Sequence, residues 1–130
     1  MFTMRPVLFS IAIAAALSGC AVTSSGGERM ALRSDAFSAY VEAVFRYQND
    51  VSTDLAFAID DESPDSERYA ALDALELELL TACRGLNELA RAARNGEPVG
   101  GFGALKRARA APECEHATDT AAAVLQRPTP

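Results

Sequence analysis

Three cysteines, a single histidine and several close-set carboxylates are the side chains in this 130-residue chain with chemistry to offer. Thiols at Cys20, Cys83 and Cys114 can be acylated, paired in a disulfide or bound to a metal, but no two have the Cys-x-x-Cys spacing of a redox or zinc site. His116 stands among Glu113, Glu115 and Asp119. His116 and Asp119 are three apart, so a helix would put them on one face, where two ligands hold a metal only weakly. Acids so placed suit a solvated helix start, which is the expected role. A Ser–His–Asp site would need its nucleophile on a sharp turn such as Gly-x-Ser-x-Gly, which the sequence lacks. Glu76 and Glu78 diverge on a helix and make no acid–base dyad. Asp60, Asp61, Glu62 and Asp65 lack the alternating acids and the glycine of a calcium loop. The glycine-rich stretch 96–103 has no Gly-Lys-Ser/Thr and no preceding strand, so it is no phosphate cradle. The expectation is a protein without enzymatic activity, cofactor or metal.

Cys20 has a distinctive setting. Residues 1–6 carry one positive charge, Arg5, and residues 7–17 are an apolar run too short to span a bilayer. The run ends in Leu17-Ser18-Gly19-Cys20. This stretch resembles the signal peptide and lipobox of bacterial lipoprotein precursors: an aliphatic residue, a small residue, Gly or Ala, then Cys. The resemblance covers residues 1–20 only. It implies that residues 1–19 are removed, that the Cys20 thiol takes a diacylglycerol, and that the freed amine is acylated. Several acyl chains make a permanent membrane anchor. Ala21 follows the cysteine in place of Asp, which by the sorting rule of Gram-negative bacteria implies the outer membrane, facing the periplasm. The following Val-Thr-Ser-Ser-Gly-Gly-Glu stretch, within residues 20–33, is expected to be a flexible tether.

The elements that position the remaining residues are expected to be helices. Ala is abundant, Trp is absent and β-branched residues are few. Ser34 is a good N-cap, followed by a seam at Phe37, Val41, Val44, Val51, Leu55 and Ala58 that skips the polar Gln48 and ends near Ile59. Ser63-Pro64 opens a second helix, with a seam at Leu72, Leu75, Leu79, Ala82, Leu86, Leu89 and Ala93 and a stop at Asn95-Gly96. These two helices, each about 40–45 Å long, are joined so briefly that they must pack antiparallel. A short helix over 104–111 and another from Pro112, with the stripe Cys114, Ala117, Ala121 and Val124, are expected to pack on the hairpin. The fold class is thus all-α: a long antiparallel helical hairpin carrying one or two short C-terminal helices over 34–126, with 127–130 a disordered tail.

Cys83 flanks the second seam and Cys114 lies on the last stripe, so both point inward. In an oxidising envelope such a pair forms a disulfide. Closing a loop of about 30 residues is worth roughly 3–4 kcal/mol on the loop-entropy model.

The formal charge is −6, and losing Arg5 with the leader makes it about −7, which argues against nucleic-acid binding. The acids gather over 50–78, where Arg68 is the one base, whereas 84–109 hold Arg84, Arg91, Arg94, Lys106, Arg107 and Arg109. Four apolar side chains off the seams, Phe45, Tyr47, Phe57 and Leu77, are the candidate partner surface. The role expected is that of a lipid-anchored structural or interaction protein, binding an envelope protein or itself. A pilotin-like escort of a secretin and a small inhibitor or immunity-type protein are the alternatives.

Overall fold

The computed structural model of the chain describes residues 21–32, 34–97 and 102–127, with the backbone alone over 102–108. Leu17, Ser18, Gly19 and Cys20 lie outside the described residues, as do 128–130 of the expected tail. Two strands, β1 (Ala21–Thr23) and β2 (Arg29–Ala31), precede three helices, α1 (Asp35–Asp60), α2 (Glu67–Arg94) and α3 (Phe102–Leu125).

Local chemistry sets the helix ends. The Ser34 hydroxyl accepts the Phe37 N–H at 3.1 Å and donates to the Ala31 carbonyl at 2.7 Å, so one cap starts α1 and ties it to β2. Ser66, not Ser63, caps α2, accepting the Tyr69 N–H at 2.9 Å. Ser63-Pro64-Asp65-Ser66 closes instead as a turn, with the Ser66 N–H on the Ser63 carbonyl at 2.9 Å. Pro suits the second position of such a turn as well as it suits a first helical turn, and here the turn wins. Glu62 accepts from Arg68 Nε at 2.8 Å, so one acid of the 60–65 cluster is neutralised within the connection. At the far end of α2 the Gly96 and Glu97 N–H groups bond the Ala93 and Ala92 carbonyls. This closure needs the positive φ of 66° that Gly96 supplies.

α1, α2 and α3 pack against one another around a single main core. α1 brings Val44, Val51 and Leu55, and α2 brings Leu72, Leu79, Cys83 and Leu86. Among its described side chains α3 brings the half-buried Val124 and Leu125 and the fully buried Ala111, Cys114, Thr118 and Ala121. Their steps of three, four and three make a continuous seam. The Cys83–Cys114 disulfide joins α2 to α3, with the Cα atoms 4.4 Å apart.

Two further expectations are corrected. The C-terminal region is one 24-residue helix rather than one or two short ones, and Pro112 lies inside it. Proline removes one backbone hydrogen bond and bends a helix. Ala111 and Cys114, fully buried on either side of Pro112, hold the helix to the core across that missing bond. The segment expected to be a flexible tether is an antiparallel hairpin, with Ala21 opposite Ala31 and Thr23 opposite Arg29. Each strand turns one residue inward: Val22 and Met30 are buried with Phe37 against Leu32, Tyr40 and Val41. Gly27, at φ 87°, makes the turn, and the Ser24 hydroxyl accepts the Glu28 N–H at 3.1 Å.

Candidate functional site

The four apolar residues expected to face a partner do not form one patch. Phe45 is half-buried and packs against the main core, so it leaves the candidate surface. Tyr47 is only 36% exposed and sits beside Asp119 of α3, whose carboxylate helps raise its pKa after the larger effect of burial. Phe57 and Leu77 are exposed at 65% and 67%. Phe57 is nine residues from the buried Gln48, or about 180° around α1, and Leu77 is two from the buried Leu79, or about 160° around α2. Phe57 lies near the end of α1 and Leu77 in the middle of α2. Leu80, half-exposed at 50%, is an apolar surface residue beyond the expected set. Its signal was the Leu79-Leu80 pair, since consecutive residues cannot both face one seam.

Glu115 is a junction of three elements. Its Oε2 accepts the Tyr40 hydroxyl of α1 at 2.6 Å and the Ser25 N–H of the hairpin turn at 3.0 Å. Burial pushes the Glu115 carboxyl up, but these bonds from Tyr40 and Ser25 outweigh it and leave the pKa below its ordinary value. The Tyr40 phenol is held well above its usual range, by burial first and then by the bond to Glu115 and its negative charge. Sequence reading placed Glu115 among the solvated acids. It missed this role because both partners are 75 residues or more away.

His116 is exposed, and among the described residues no three His, Cys, Asp or Glu side chains are grouped to hold a metal ion. Among the described residues no helix is long and apolar enough to cross a membrane. The charges are segregated along the bundle. Asp54, Asp60, Asp61, Asp65, Glu67 and Asp73 crowd the end where α1 runs into α2, all exposed. Arg91 and Arg94 are in the last turn of α2, and Lys106, Arg107 and Arg109 stand on the first third of α3. The described residues thus offer separate surface features. Compared with known protein families, with curated proteins and with solved structures, the chain matches none.

Proposed function

We propose that this chain is the precursor of a lipid-anchored envelope protein whose helical domain is a non-enzymatic interaction or structural partner at the outer membrane. The observation that carries the reading is Leu17-Ser18-Gly19-Cys20 at the end of an eleven-residue apolar run, following Arg5. The Cys83–Cys114 disulfide fits it, because such a bond persists in an oxidising envelope and is rare in the cytosol. In this reading α1 and α2 are the antiparallel platform, α3 braces them, and Phe57, Leu77 and Leu80 are separate anchoring points for a protein partner. A few exposed apolar side chains are enough to anchor a weak or transient interface.

Mass spectrometry of the protein recovered from its host's membranes tests the anchor. The expected mass begins at Cys20, carries a diacylglycerol and an acyl chain, and reverts to an unlipidated precursor in Cys20→Ala. A mature chain starting elsewhere, without lipid, ends the proposal. For the partner, photo-reactive residues at Phe57, Leu77 and Leu80 should capture one envelope protein or a second copy of the chain. The absence of any product at all three positions would refute the interaction role.

A further inference from the structure

We propose that the mature protein sits end-on against an anionic phospholipid surface, with the arginine-bearing end of α2 and α3 in the headgroup layer and the acidic α1–α2 end pointing away. This rests on the lipid-anchor reading above and goes beyond it, because a lipid on a flexible tether would set no orientation.

The first observation is where the chain enters the bundle. Cys20 is one peptide bond from Ala21, about 3.8 Å between Cα atoms. Ala21 is no tether residue: it pairs with Ala31, whose carbonyl is bonded by the α1 cap Ser34. Val22, buried at 4% exposure, and the bond from the Ser25 N–H to Glu115 fix the rest of the hairpin to α1 and α3. The anchor is therefore coupled to the start of α1.

The second observation is which charges share that end. α1 and α2 are joined through 61–66 and α2 and α3 through 95–101, so the start of α1, the end of α2 and the start of α3 lie together. The Tyr40–Glu115 bond sets the level. Tyr40 is six residues past Ser34, about 9 Å along α1, while Phe102 is thirteen residues before Glu115, about 20 Å along α3. Arg109, six residues before Glu115 and so about 9 Å along α3, stands level with the start of α1, where the anchor leaves the hairpin. A headgroup layer is roughly 5–8 Å deep, so a chain anchored at Ala21 brings Arg109 to the phosphates.

Helix electrostatics accounts for two of the five cations at that end. Arg91 and Arg94 offset the negative C-terminal end of α2. Lys106, Arg107 and Arg109 have no such role: they lie past the first turn of α3, in a stretch with no acid before Glu113. Arg91, Arg94 and Arg109 are exposed and belong to neither ion pair found among the described residues, Arg46–Glu42 and Arg68–Glu62. Exposed cations outside both pairs leave positive charge at that end to attract anions from outside the chain. The anchor emerging at the same end makes those anions phospholipid phosphates.

The test uses the mature lipidated protein in vesicles of phosphatidylcholine, alone or with one quarter phosphatidylglycerol, with a nitroxide quencher on the headgroups. A fluorescent amino acid replaces Glu97 at the basic end or Asp61 at the acidic end, both exposed. Quenching at 97 should be at least twofold that at 61 and should rise with phosphatidylglycerol. The triple variant Arg91→Gln, Arg94→Gln, Arg109→Gln should lose that rise, as should the native protein in about 0.5 M salt, where screening shortens to a few Å. Equal quenching at 97 and 61, or a triple variant that keeps the rise, overturns the proposal. Should mass spectrometry find no lipid, the anchor reading fails separately, and cosedimentation of the unlipidated chain with phosphatidylglycerol vesicles decides for the basic end. Binding there that falls on the order of fivefold for each arginine removed supports it, and no binding overturns it.

Discussion

The α1–α2 pair and α3 solve the same packing problem with different means. The buried positions of α1 and α2 include Val44, Val51, Leu55, Leu72, Leu79 and Leu86, each with a large apolar area to remove from water. Those of α3, among its described side chains, are Ala111, Cys114, Thr118 and Ala121. Small residues let α3 come close to α2, but each contributes little hydrophobic stabilisation. Ties add to that packing: one disulfide to α2 and the Glu115 junction to α1 and the hairpin. A helix held by area loosens by degrees as side chains are trimmed, whereas a helix held by ties should come away when one is cut.

Cutting the disulfide is the largest expected effect. Cys83→Ala with Cys114→Ala should cost about 4 kcal/mol, combining lost loop closure with the packing of two fully buried sulfurs. Hydrogen exchange should show α3 losing protection first while α1 and α2 keep most of theirs. Uniform loss across all three helices would erase the distinction. Leu79→Ala probes the other means. Leu79 is 1% exposed, and its truncation should cost about 3 kcal/mol, read as a lower midpoint in denaturant with loss shared by all helices.

The same contrast explains what could be read in the sequence. α1 and α2 declare themselves because Leu and Val recur at helical spacing between a serine cap and an Asn-Gly stop. The disulfide was legible too, since Cys83 and Cys114 each fell on an inward face. The continuity of α3 was not, because Pro112 is a valid start signal and the anchoring of Ala111 and Cys114 on either side is tertiary. The hairpin was hidden for a different reason. A three-residue strand has one inward residue, too few to show a period, and Ser-Ser-Gly-Gly serves a linker as well as a turn. Of the candidate surface, Phe45 was misjudged because a position some 60° off a seam is covered once a third helix packs alongside.

Glu115→Gln cuts a tie without touching the core. A carboxylate accepting two hydrogen bonds is replaced by a weaker neutral acceptor, and the loss at neutral pH should be about 1–2 kcal/mol. The sign with pH follows from the lowered pKa. The unfolded carboxyl binds a proton more readily than the folded one, so this stabilisation is present above the ordinary value of 4.5 and is lost as pH falls through the folded value. The stability gap between the native chain and the variant should therefore narrow steadily below about pH 4.5. A gap independent of pH would mean that Glu115 acts by shape alone. Tyr40 gives the opposite limb: its raised pKa makes its contribution complete below 10 and fading at higher pH.

The smallest effect concerns the one polar residue inside the area-held pair. Gln48 is 3% exposed in the α1 seam; its Nε2 donates to Ser52 Oγ at 3.0 Å, and its Oε1 is buried with no partner among the described residues. An orphaned buried acceptor costs more than the single hydrogen bond returns, so Gln48→Leu should raise stability by about 1 kcal/mol. A gain would show that Gln48 weakens the core, and a polar residue in a heptad seam is then best explained by the alignments it forbids. Sedimentation of the Gln48→Leu variant separates the two roles. If Gln48 fixes the register, the more stable variant should also populate dimers or higher species, because an all-apolar seam accepts other partners. If the variant is more stable and still a single species, register is set elsewhere. The Tyr40–Glu115 bond, which joins α1 to α3 at one level, is then the tie that sets it.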